Sequence, residues 1–86
     1  MTRDFHEMPR AQQAGIRCHD RDFQEWLGVP GKYLDTPRGA DFAAHIVRGQ
    51  CGIDSRAELA TDNDAAIEWD LMLKEYEERE PFTSRD

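Results

Sequence analysis

Apolar residues recur along this chain at helical spacing. Phe23, Trp26 and Leu27 fall at i, i+3 and i+4, on one side of a short helix. Asp20 stands where an N-cap belongs, and Gly28 and Pro30 end the segment. Upstream, Pro9 suits the first turn of a helix that runs through Ala11, Gln12, Gln13 and Ala14 to about Cys18, with Gly15 as its weak point. A third helix is expected to start near Thr36, with Pro37 at its first position, and to reach about Gln50. Its Ala40, Ala43, Ala44 and Val47 make a narrow stripe of small residues, flanked by Phe42 and Ile46, that allows close helix approach. Gly52 follows as a stop, with Ile53 placed for the apolar contact that accompanies such stops. Ser55-Arg56-Ala57-Glu58 has the capping-box spacing and predicts a short helix through Leu59.

The longest helix is expected over 63–80, capped by Thr61 or Asp62 and ended by Pro81. At roughly 100° per residue, Ala65, Trp69, Met72 and Tyr76 line one face, with Ala66 and Leu73 beside them. Ile67 and Leu71 fall on the opposite side. A lone surface helix would be polar there, so this second strip is expected to be covered by the N-terminal arm or by a second chain. Residues 28–39 read as a loop that Tyr33 and Leu34 pin to the core; a short extended piece is the alternative, but no nearby segment has the alternation of a partner strand. The pattern predicts an all-α fold, a small bundle of four to five short helices with a long acidic C-terminal helix. Its core would be Phe23, Trp26, Leu27, Val47, Leu59, Trp69, Met72 and Tyr76. Residues 1–8 read as a flexible arm, 9–80 as a single helical domain and 81–86 as a tail.

Composition bounds the function. The 86 residues suffice for one domain with a modest core. Hydrophobic residues at 38% and the aromatic anchors argue against a disordered chain. No apolar run approaches the roughly 18 residues of a membrane span, and residues 1–10 lack the apolar core of a secretion signal. A cytoplasmic protein is expected, with Cys18 and Cys51 as reduced, partly buried thiols rather than a disulfide. Charge is unevenly placed. Residues 1–53 balance seven acids with seven bases, while residues 54–86 hold eleven acids and four bases, and so the whole formal charge of −7. Phosphate backbones are held by clustered Lys and Arg, so no direct nucleic-acid binding is expected. A basic protein partner fits better.

Reaction chemistry finds little footing. Cys18, His19 and Asp20 are the tightest group of metal-ligating types, but adjacent helical residues diverge, and no CxxC, HxxxH or HExxH spacing occurs. His45 and Cys51 lie six apart without a motif that would make them a nucleophile and its base. Glu75, Glu77, Glu78 and Glu80 read as a solvated end, where carboxyl groups lack the burial that raises an acid's pKa. Gly28-Val29-Pro30-Gly31-Lys32 lacks the spacing of a phosphate loop. No catalytic residue, metal or cofactor is expected. Surfaces remain. Asp64, Glu68, Glu75 and Glu78 group on one side of the last helix and partly overlap the Ile67 and Leu71 strip. These six are the expected partner-binding residues, a docking face for a protein whose basic surface normally faces nucleic acid. The plainer reading is an acidic helix that serves solubility.

Ala14-Gly15-Ile16-Arg17-Cys18, then Phe23 and Trp26-Leu27, then Ile46-Val47-Arg48 with Cys51-Gly52-Ile53-Asp54-Ser55-Arg56-Ala57-Glu58-Leu59, then Trp69 and Tyr76, resemble small accessory proteins of temperate phages and prophages encoded near replication and recombination genes. The resemblance carries no functional residue with it. It implies a host bacterial cell and a non-enzymatic protein that modulates or inhibits a protein of nucleic-acid metabolism or host defence, in the manner of an anti-CRISPR protein. An accessory subunit of phage recombination or replication machinery, as a homodimer, is the alternative it implies.

Overall fold

The local start and stop signals act where they stand. In the computed structural model, which describes residues 5–79, four α-helices form and no strand. They are α1 (Arg10–Cys18), α2 (Arg21–Leu27), α3 (Pro37–Cys51) and α4 (Asn63–Glu77), with 3₁₀ turns at Phe5–Glu7, Gly31–Tyr33 and Arg56–Ala60. Asp20 caps α2 by accepting from the Asp22 N–H at 2.9 Å, and Asp62 rather than Thr61 caps α4 by accepting from the Ala65 N–H at 3.1 Å. Thr36 caps α3 through the Gly39 N–H. Gly52 turns left-handed at φ 71°, which lets the Ile53 N–H reach the Arg48 carbonyl at 2.9 Å and buries Ile53 as expected. Ser55 and Glu58 form the capping box, but the segment behind it is a single 3₁₀ stretch.

The last helix departs from expectation in two respects. α4 stops at Glu77 instead of near residue 80, and at 15 residues it equals α3 in length. At this end the Arg79 guanidinium lies 4.0 Å over the Tyr76 ring and donates to the Tyr76 carbonyl at 2.6 Å, satisfying one of the carbonyls that a helix end leaves without an intrahelical partner. Pro81, the tail 81–86 and residues 1–4 of the expected arm lie outside the described residues. The rest of that arm packs on the domain: Phe5 is half-buried against the core, and the Arg17 guanidinium stacks 4.4 Å from its ring centre.

The core forms where four faces meet. Ala14 and Cys18 of α1, Phe23 of α2, Ala43, Ala44 and Val47 of α3, and Ala65, Trp69, Met72, Leu73 and Tyr76 of α4 are buried together, with Leu59 closing one end. Phe23 packs edge-on against both Tyr76, at 5.0 Å between ring centres, and Trp69, at 5.9 Å. Trp26 and Leu27 fall short of the core places expected for them. They are half-buried at its rim, because Phe23 takes the centre of the short α2 and they fall to either side of it.

Two glutamines are buried, and each acts as a staple. Gln13 accepts from the Trp69 indole N–H at 2.9 Å and donates to the Met8 carbonyl at 3.0 Å and the Phe5 carbonyl at 3.3 Å, joining α4, α1 and the N-terminal turn. Gln24 donates to the Cys18 carbonyl and accepts from the Asp35 N–H, both at 2.8 Å. It thereby fixes the loop 28–36 in a form that includes left-handed Asp35, at φ 61°. Gly39 is packed so closely beneath this loop that a Cβ there would overlap the Tyr33 carbonyl and press on Gln24. Tyr33 and Leu34 are half-buried on the core, as anchors of the loop.

Truncating fully buried Trp69 to Ala should cost roughly 3–5 kcal/mol. Gln13→Leu keeps the volume but strands the indole N–H and two carbonyls, and should cost about 1–3 kcal/mol. Urea unfolding followed by circular dichroism measures both. An unchanged midpoint for Gln13→Leu would mean that the staple contributes nothing net.

Candidate functional site

The outward side of α4 is set by what the inward side must bury. With Trp69, Met72 and Tyr76 in the core, Asp64, Ile67, Glu68, Leu71, Glu75 and Glu78 are all left in solvent. Ile67 keeps 57% of its surface exposed and Leu71 keeps 51%. Among the described residues, 5–8 of the expected arm do not cover this strip, and residues 1–4 lie outside the described residues. Residues 5–10 instead pack along the flank of α4. There Arg10 meets Asp70 through two parallel hydrogen bonds of 2.9 Å, and His6 donates to Glu77 at 2.8 Å. Arg17, held between the Phe5 and Tyr76 rings, lies 3.8 Å from the same Glu77. Exposed pairs of this kind contribute at most about 1 kcal/mol each, but they neutralise one flank of α4.

The acids of α4 therefore divide. Among the described residues, Asp70 and Glu77 are ion-paired, while Asp64, Glu68, Glu75 and Glu78 take part in no ion pair. Glu68, Leu71 and Glu75 also line a groove of about 330 Å³ between α2, α3 and α4. Its apolar walls are Trp26, Leu27, Ile46, Leu71 and Met72, and Glu68, Glu75 and Gln50 supply its polar groups. Asp64, Ile67 and Glu78 lie on the same outward side of the helix but outside the groove lining.

Sequence reasoning missed the groove because it assigned Trp26 and Leu27 wholly to the core and Ile46 to a helix flank. The usable signal was steric: beside Phe23 on a seven-residue helix, two further large side chains cannot both be central.

A second hollow, of about 420 Å³, lies over Tyr33, Arg38, Asp41, Phe42 and His45. Phe42 stacks on Tyr33 at 5.9 Å, and Lys32 and Arg38 approach the same Tyr33 ring. Its charges are of both signs, and its main aromatic face is already covered by Phe42.

Both cysteines are free and buried. Burial pushes the Cys18 thiol above its ordinary value, although the Arg56 side chain beside it works in the opposite direction. Burial also raises Cys51, and the nearby Glu68 adds to it. Thiols shifted this way hold little reactive thiolate near neutral pH. Among the described residues, no three His, Cys, Asp or Glu side chains are placed to hold a metal ion, and no helix is long and apolar enough to cross a membrane.

No protein-family model matches the chain, and neither a curated protein nor a solved structure matches it significantly.

The raised thiols predict an alkaline limit on stability. Below the ordinary thiol value of 9.0, both the folded and the unfolded chain keep these protons. Above it the unfolded chain loses them first, so stability falls with rising pH until the native thiols ionise as well. Tyr76, also raised by burial, extends the decline beyond its ordinary 10.0. Denaturant midpoints from about pH 8 to pH 11 should show this fall, and a Cys18→Ala, Cys51→Ala variant should fall less steeply. In the native protein, both thiols should react with an alkylating reagent far more slowly than in urea.

Proposed function

We propose that this protein acts by binding another protein, without catalysis of its own, and that the outward side of α4 is its contact surface. One observation carries the reading: the four acids on that side, Asp64, Glu68, Glu75 and Glu78, make no ion pair among the described residues and stand beside two half-exposed aliphatic side chains. Desolvated apolar area with charge around it is the usual make-up of a docking face. Surface acids placed only for solubility have no reason to surround an apolar pair. The other acids of the helix are tied to Arg10, Arg17 and His6, which leaves this side as the concentrated negative field of α4.

The partner this field suits is a protein with a basic, nucleic-acid-facing surface. On that reading the protein is a phage accessory factor, working in the cytoplasm of a host bacterium, that modulates or inhibits a protein of nucleic-acid metabolism or defence by occupying that surface, as anti-CRISPR proteins do. The exposed Ile67 and Leu71 also suit a second reading, an accessory subunit of recombination or replication machinery that pairs with its own copy.

Charge complementarity acts mainly on association rate, and salt screens it over about 8–10 Å. Reversing Glu68, Glu75 and Glu78 to Lys should slow association with the partner recovered from the native cell and flatten its salt dependence, with thermal unfolding unchanged. The partner's nucleic acid should compete with this protein. Binding that ignores salt, the reversals and the competitor would sink the reading and move the contact to the neutral half, around Tyr33 and Leu34.

A further inference from the structure

The groove beside Leu71 narrows the partner's chemistry. Resting on the reading of α4 just given, we infer that the groove between α2, α3 and α4 receives one amphipathic basic helix of the partner. An apolar side chain of that helix inserts between Trp26, Ile46 and Leu71, and two Lys or Arg residues seven apart meet Glu68 and Glu75.

The spacing follows from α4 itself. Glu68 and Glu75 are separated by seven residues, about 10.5 Å along the axis, with Leu71 between them. A helix laid along α4 repeats this arrangement with bases at i and i+7 and apolar residues at i+3 and i+4, all on one of its sides. The groove, of about 330 Å³, offers apolar walls from three helices and two carboxylates that make no ion pair among the described residues. An extended segment suits it less. An extended strand would find no sheet edge to pair its backbone with, since the described residues contain no strand.

A second copy of this chain suits it less as well. Two-fold pairing through this face would set Asp64, Glu68, Glu75 and Glu78 of one protomer against the same four acids of its partner, and like charges facing each other across an interface oppose association.

The test uses a synthetic peptide of about 15 residues, long enough to hold helix, with Lys at i and i+7, Leu at i+3 and i+4, and Ala and Gln elsewhere. Two controls replace both Leu by Gln, or both Lys by Glu. Binding to the intact protein is followed by calorimetry and by the fluorescence of half-exposed Trp26, at low and at physiological salt. The Lys–Leu peptide should bind, and each control should bind at least about tenfold more weakly. Leu71→Gln should weaken binding by a similar factor, and so should Glu68→Gln with Glu75→Gln. These positions are exposed, so melting curves should stay at the wild-type temperature and separate lost binding from lost fold.

No binding of the Lys–Leu peptide overturns the inference. So does binding that is indifferent to the Leu residues or to Leu71→Gln. In that last case, retained sensitivity to the Glu substitutions would leave the acidic docking surface standing and remove only the groove. A dimer in sedimentation that Leu71→Gln dissolves would overturn the inference in favour of a second copy.

Discussion

Trp69 has no exposed surface, and its indole N–H needs an acceptor inside the protein. Gln13 is that acceptor, at 2.9 Å, and this hydrogen bond orders much of what surrounds it. A buried donor left unpaired costs about 1–3 kcal/mol, a large share of the stability of a small domain. To serve Trp69, the Gln13 amide must itself be buried, and its remaining N–H groups must be satisfied. They reach the carbonyls of Phe5 and Met8, which draws the N-terminal turn onto α1 and α4. One polar contact thus ties the face of α4 that carries Trp69 to α1 and to the chain that precedes it.

The rotation of α4 decides what its outer side presents. With Trp69 inward, Ile67 and Leu71 point outward, and the acids sort into two groups. The N-terminal segment, held down through Gln13, brings His6 and Arg10 to Glu77 and Asp70, and Arg17 lies against Glu77 from α1. The negative charge not used in this way collects beside Leu71 and the groove. The proposed docking face is therefore a by-product of the same packing that buries the indole.

Gln24 plays the corresponding part for the loop before α3. It ties the last turn of α1 to the loop before α3, and Gly39 lets that loop sit directly on α3. Tyr33 and Leu34, within that loop, stay half-buried against the core. The two thiols sit in the same packed interior, where burial suppresses their ionisation.

The sequence by itself determined the helices. Caps at Asp20 and Thr36, a cap at one of Thr61 and Asp62, stops at Gly28 and Gly52, and the 3.6-residue recurrence around Trp69 are interactions within a few residues, and so were legible in advance. They also placed the six outward residues of α4 on one side. Tertiary structure alone decided the rest. Gln12 and Gln13 look alike in a helical pattern, and only the arrival of Trp69, 56 residues away, makes one of them a buried staple. Trp26 and Leu27 read as core until Phe23 takes the centre. Asp70 and Glu77 read like the other acids until Arg10, Arg17 and His6 are brought beside them. For Trp26 and Leu27 the neighbour Phe23 is local, but which of the three takes the centre depends on the helices packed against them. For Gln13 and for the paired acids the deciding partner is distant in the chain, and a hydrogen bond or ion pair between distant residues leaves no periodic mark on the sequence.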